Sequence, residues 1–184
     1  MQTFMPYPAF DDSLKALDYR RLGKQRIEAR MALDNLLGIK RKKWGTHIVN
    51  KMWKGYENAL AHYYNLCLDE WTSRGYKNNM PYYASVGVEY PWWMGNVKFH
   101  VSHRINLLNK DFDFYKKVFG VSDDEQDFVS SFPSGYWWPV TPSSKSATNR
   151  MQIWEEHYNE LVEELFPDLR KYLYSTIGDE LWKL

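Results

Sequence analysis

The sequence predicts a mostly α fold. Apolar side chains recur at helical spacing over long stretches, strand-like alternation is short and rare, and Gly, Pro and Asn punctuate the chain between the periodic stretches. With 184 residues the chain is long enough for one sizeable core. The expectation is a compact, single all-α domain over residues 1–184, with one long irregular region rich in aromatic residues.

The elements follow in order. "MQTFMPYPAF", residues 1–10, is apolar and broken by Pro6 and Pro8, which predicts an extended arm. Asp11, Asp12 or Ser13 is a candidate cap for a helix that runs to about Leu37 and stops at Gly38. "IKRKKWGTH" predicts a basic loop. A second long helix fits Asn50 to Ser73, with Trp53, Tyr56, Leu60, Tyr63, Tyr64, Cys67, Leu68 and Trp71 at helical spacings, and Gly75 ends it. A third fits Asn96 to Asn109, and "DFDFYKKVFG" predicts a short fourth. Residues 120–147 hold Pro133, Gly135, Pro139 and Pro142 and predict loop. Thr148 is a candidate cap for a helix expected through Leu165, and Pro167 to Lys183 is expected to supply the last.

Composition narrows the function classes. Aromatic residues make up 17% of the chain, nine of them Trp, which requires a thick aromatic core or stacking surfaces. The net charge of +1 hides an asymmetry: residues 1–110 hold 17 Lys and Arg against 9 Asp and Glu, a net +8, while the remainder carries −7. One part attracts a polyanion while the other keeps the whole away from uniform basicity. The single cysteine, Cys67, excludes an intrachain disulfide, and no run is long and apolar enough for a membrane helix. A cytoplasmic protein with no membrane partner is expected.

The densest charge is in "DYRRLGKQRIEAR", residues 18–30. On a helical wheel the face of Leu14 and Leu17 continues into Arg21, Lys24, Gln25 and Glu28. Two readings stand. In one, this is a solvated face with a Lys24–Glu28 pair at i,i+4. In the other it is a site: Arg20, Arg21, Lys24, Gln25 and Arg26 meet phosphates, and Glu28, or the nearby Asp18, stabilises a cationic transition state. Lys42 and Lys43, beside Trp44, suit backbone contact and stacking, or form a solvated loop. His100 and His103 at i,i+3 lack a third ligand or a paired-Cys pattern, so no metal is expected. His103, with Arg104 and the neighbouring Lys110, suits phosphate or sugar contact, against a structural histidine. In "SGYWWPV" the rings of Tyr136, Trp137 and Trp138 either touch bases or fold over the core. "YPWWMG", residues 90–95, is expected to be core.

Taken together, "MQTFMPYPAF", "LDYRRLGKQRIEA", "HRINLLNKD" and "GYWWP" resemble the pyrimidine-dimer DNA glycosylase / endonuclease V family, in its bacterial and phage branch with the R-L-G-K-Q-R signature. The resemblance runs in order over residues 1–139. It implies an all-α fold that binds duplex DNA, flips a nucleotide and cleaves an N-glycosidic bond without a cofactor. In the classical members the amine of an N-terminal threonine attacks the sugar and a glutamate on the first helix assists. Here Met1 precedes Gln2, a residue whose size normally blocks methionine removal, and Thr3 lies one position further in. Arg21 stands where the helix glutamate is expected. The expectation is therefore an enzyme with Glu28 or Asp18 as its carboxylate, beside Arg21, that acts as a monomer and releases a damaged or modified pyrimidine base with little strand cleavage. The alternatives are a DNA- or nucleotide-binding module without catalysis, and an N-glycoside hydrolase or transferase acting on a nucleotide.

Overall fold

A computed structural model of the chain describes residues 2–39, 46–132, 134–140, 142 and 145–170. Every regular element among them is helical: α1 (Phe10–Lys15), α2 (Tyr19–Leu36), α3 (Ile48–Trp53), α4 (Glu57–Ser73), α5 (Val97–Leu108), α6 (Phe112–Phe119), α7 (Gln126–Ser131) and α8 (Lys145–Glu164), with short 3-10 turns at Asp123–Glu125 and Pro167–Leu169. The mostly α expectation holds. The chain packs as two compact units, Met1–Trp92 and Trp93–Leu184. Among the described residues no helix is long and apolar enough to cross a membrane.

In the first unit α2 lies along α4, α1 also packs on α4, and α3 packs on α2. The core face of α2 is Leu22, Gln25, Ala29, Ala32 and Leu33, and Ala59, Leu60, Tyr63, Tyr64, Cys67 and Leu68 of α4 are likewise buried. Two helices expected to be continuous are broken. The helix expected from residue 11 to 37 stops at Lys15 and restarts at Tyr19, because Asp18 takes extended backbone and accepts from the N–H groups of Arg20 and Arg21. The wheel that joined Leu14 and Leu17 to Arg21 and Glu28 therefore does not describe one helix. Similarly, the helix expected from residue 50 to 73 breaks at Lys54–Tyr56, where Gly55 sits at φ 90°. α1 starts without a side-chain cap, and Ser13 instead fixes the preceding turn, accepting from Tyr7 N–H and donating to Tyr7 C=O.

The arm has no regular structure over residues 2–5 and bends over 6–9, and it is interior: Gln2, Thr3, Phe4 and Met5 are all buried. Thr3 Oγ1 accepts from Trp53 Nε1 at 3.0 Å and Phe4 C=O accepts from Tyr63 OH at 2.9 Å, so α3 and α4 both grip it. Around that grip the rings of Phe10, Trp53, Tyr63 and Tyr90 form one tilted aromatic cluster.

In the second unit α5 is central, since from Phe99 to Leu108 every residue is buried, and α6 and α8 pack on it. Asn96 caps α5 and Gly120 ends α6 in the left-handed region, as the sequence indicates. Residues 120–147, expected to be loop, contain α7, whose Val129 is buried. Helix α8 starts three residues before Thr148. Of the expected helix from Pro167, a 3-10 turn is seen, and residues 171–184 lie outside the described part.

Candidate active site

Gln25 organises the front of the first unit. A carboxamide carries one donor end and one acceptor end, as a peptide group does. Gln25 uses both on the arm: its Oε1 accepts from Phe4 N–H at 2.9 Å and its Nε2 donates to Gln2 C=O at 2.8 Å. The bracket fixes the arm's register across Thr3. One turn along α2, Glu28 Oε2 accepts from Gln2 N–H at 2.9 Å. Glu28 is half-buried, and it forms no ion pair with the exposed Lys24 among the described residues. Of the two readings of this face, the surface Lys24–Glu28 pair is not seen among the described residues, and Glu28 instead contacts the arm.

Two further groups belong to this region. Gln2 Oε1 accepts from Thr3 N–H at 2.8 Å, while Gln2 Nε2 is buried without a hydrogen-bond partner among the described residues. Leaving such a donor unmade costs about 1–3 kcal/mol. His47 begins α3, its Nδ1 accepting from Val49 N–H at 3.2 Å, which assigns the proton of the neutral ring to Nε2. Burial lowers the His47 imidazole below its usual range, against the raising influence of the Glu28 charge.

The cationic residues of α2 divide by employment. Arg21 pairs with Asp18 at 3.1 Å, so Asp18, 6% exposed, acts as helix cap and ion-pair partner. Arg26 lies over the Trp71 ring at 3.8 Å, and burial lowers its pKa. Gly23 is where Trp71 meets α2, for a Cβ there would stand 3.2 Å from the indole. Trp71 also stacks on Tyr76 at 4.2 Å. Arg30 faces Asp34, which accepts from Tyr83 OH. Arg20, against Tyr19, and Lys24 are exposed on the outer side. The positive charge beside the leucines is thus partly architecture and partly surface.

The remaining expected site residues are placed otherwise. Lys42 and Lys43 lie outside the described residues. Arg104 is buried between Phe119 and Phe166 and is held by Asp168 through two bonds of 2.7 Å, so its guanidinium is committed within the second unit. His103 is fully buried between Phe99 and Tyr136, and burial, then the neighbouring His100, lowers it well below its usual pKa. His100 Nε2 accepts from Gly95 N–H at 2.8 Å. Trp137 and Trp138 are folded inward, Trp137 Nε1 donating to Glu155, while Tyr136 is half-buried and Lys110 exposed. The exposed aromatics are elsewhere: Tyr90 and Trp92, expected in the core, are 44% and 56% exposed, whereas Trp93 is buried.

Gln2, Thr3, His47 and Trp53 are the site residues that sequence reasoning missed. The only signal was an arm too apolar to remain in solvent. Neither curated proteins nor solved structures give a match to the chain. Residues 1–84, the stretch that carries the arm, Gln25, Glu28 and His47, match the family model for pyrimidine dimer DNA glycosylase, which bears out the resemblance read from the motifs of that stretch.

Proposed function

We propose that the chain is a DNA N-glycosylase that binds duplex DNA, extrudes a damaged or modified pyrimidine nucleotide and breaks its N-glycosidic bond, with Glu28 as the catalytic carboxylate. The family supports a DNA glycosylase-like function and a DNA substrate. The observation that carries the assignment to Glu28 is its contact with Gln2 N–H at 2.9 Å, because it holds a half-buried carboxylate against the arm and away from Lys24. As the base departs, positive charge builds on the sugar, and a carboxylate placed beforehand stabilises it without reorganisation. The same carboxylate takes the proton of the water that adds to C1′. Arg20 and Lys24, on the outer side of α2, are the cations best exposed for phosphates. This reading requires neither metal nor cofactor, and it sets the protein as a monomer acting on DNA in the cytoplasm.

Amine chemistry is not part of the proposal. The nitrogen at position 2 is a peptide N–H that donates to Glu28, so it has no free lone pair with which to attack a sugar. The test is a panel of duplexes carrying single damaged or modified bases, scored separately for base release, strand cleavage and borohydride-trapped adduct. Base release without abundant adduct is the expected result. Efficient trapping would instead show an amine mechanism. Tight duplex binding with no base released from any member would favour the binding module.

A further inference from the structure

Gln2 is pinned at three of its four polar groups. Its N–H donates to Glu28, its C=O accepts from Gln25, and its side-chain oxygen accepts from Thr3 N–H. Thr3 N–H can only donate, so the carboxamide oxygen must lie there and the amino group must lie on the opposite side. Among the described residues that amino group, on a residue that is 6% exposed, is buried and has no hydrogen-bond partner. Three bonds thus hold a dehydrated donor in place on the residue whose backbone N–H meets the carboxylate of Glu28.

We propose that Gln2 Nε2 holds the departing base, donating to the C2 carbonyl oxygen of a pyrimidine whose glycosidic bond faces Glu28. This rests on the glycosylase reading above and adds the group that recognises the base. When the C1′–N1 bond breaks, its electron pair leaves on N1 and spreads onto the adjacent C2 oxygen. The oxygen of a water bonds to C1′ and passes a proton to Glu28, which returns it to solvent. The released base takes up a proton from solvent. Negative charge on the leaving base and positive charge on the sugar grow together; Gln2, whose backbone N–H meets Glu28, presents a side-chain donor for the first while Glu28 meets the second. A donor already stripped of water needs no reorganisation when that charge appears.

Two variants test the assignment. Gln2→Glu keeps an oxygen for Thr3 N–H and removes the donor, whereas Gln2→Met removes both polar ends at similar volume. Single-turnover base release is measured at saturating duplex on the pyrimidine-bearing duplex that the wild-type protein processes fastest. Binding is measured on a duplex with a tetrahydrofuran abasic analogue, which has a sugar position but no base. The expected result is a fall in release of about tenfold or more in both variants, with abasic-duplex affinity held within about twofold. An unchanged release rate in either folded variant, or a loss of abasic-duplex affinity as large as the loss of rate, overturns the inference alone. Release confined to purines also overturns it. A wild-type protein that releases no base from any duplex overturns the glycosylase reading and this inference together.

Discussion

Glu28→Gln keeps the volume of the side chain and one acceptor oxygen for Gln2 N–H while removing the charge. Duplex affinity and thermal stability should therefore stay near wild type. Base release should fall by two or more orders of magnitude, consistent with the few kcal/mol that a preorganised group supplies to a developing charge. Asp18→Asn is the matching control, because Asn also caps helices and spares α2. Near-normal release in Asp18→Asn with loss in Glu28→Gln fixes the carboxylate; the reverse pattern moves the chemistry to Asp18. A different residue governs acid stability. His103 is fully buried and held well below its usual pKa by burial, with His100 adding to the effect. The unfolded chain therefore binds a proton that the folded chain refuses. This contribution is fully present above the ordinary histidine value of about 6.5 and is lost as pH falls below it, by at most about 1.4 kcal/mol per pH unit. Denaturant unfolding between pH 7.5 and 5 should show the loss, and His103→Gln should flatten it. An unchanged slope in that variant would assign the acid sensitivity to other groups.

At the scale of elements, α2 approaches α4 closely at Gly23, against Trp71. Gly23 is helical, and Ala is worth up to about 1 kcal/mol more than Gly in a helix interior. The added Cβ would lie 3.2 Å from the Trp71 ring, which is also in contact with Arg26 and Tyr76. Gly23→Ala should therefore give no gain in melting temperature in the wild-type chain and a clear gain in the Trp71→Leu background. Additive effects in that double-mutant cycle would refute the packing account. The helices themselves were largely legible in the sequence, and the breaks between them were not. Apolar spacing continues through residues 16–18 and 54–56, so periodicity alone joins helices that Asp18 and Gly55 separate. Helix α7 was hidden by the Pro- and Ser-rich composition around it, although Ser122 and Glu125 form a capping box, whose spacing is written in the sequence, on the 3-10 turn that leads into it. The site divides in the same way. Gln25 and Glu28 share a side of α2 and were visible as a pair. Their shared target, the arm, is a tertiary partner 21 to 26 residues away in the chain and has no local signature.

At the scale of the whole molecule, the charge asymmetry makes a quantitative claim about DNA. The chain is nearly neutral, yet residues 1–110 carry a net +8 and the rest −7. If a uniform field governed binding, so small a net charge would give weak attraction and a shallow salt dependence. If local cations meet phosphates, each contact releases counterions and steepens the log–log salt slope by about 0.9, whatever the net charge of the whole chain. Several cations of α2 already serve the fold: Arg21 holds Asp18, Arg26 covers Trp71 and Arg30 faces Asp34. The exposed Arg20 and Lys24, together with Lys42 and Lys43, are therefore the residues whose removal should change the slope. Lys24→Ala should reduce it by about 0.9, and Lys42→Ala with Lys43→Ala by about 1.8. Both should weaken undamaged and lesion-bearing duplexes alike, because phosphate contacts carry no sequence information. Fluorescence anisotropy from about 50 to 200 mM salt spans the range in which such contacts dominate. A slope that none of these variants changes would mean that DNA is met by another face of the protein. A loss restricted to the lesion duplex would place these lysines at the extruded nucleotide instead of along the backbone.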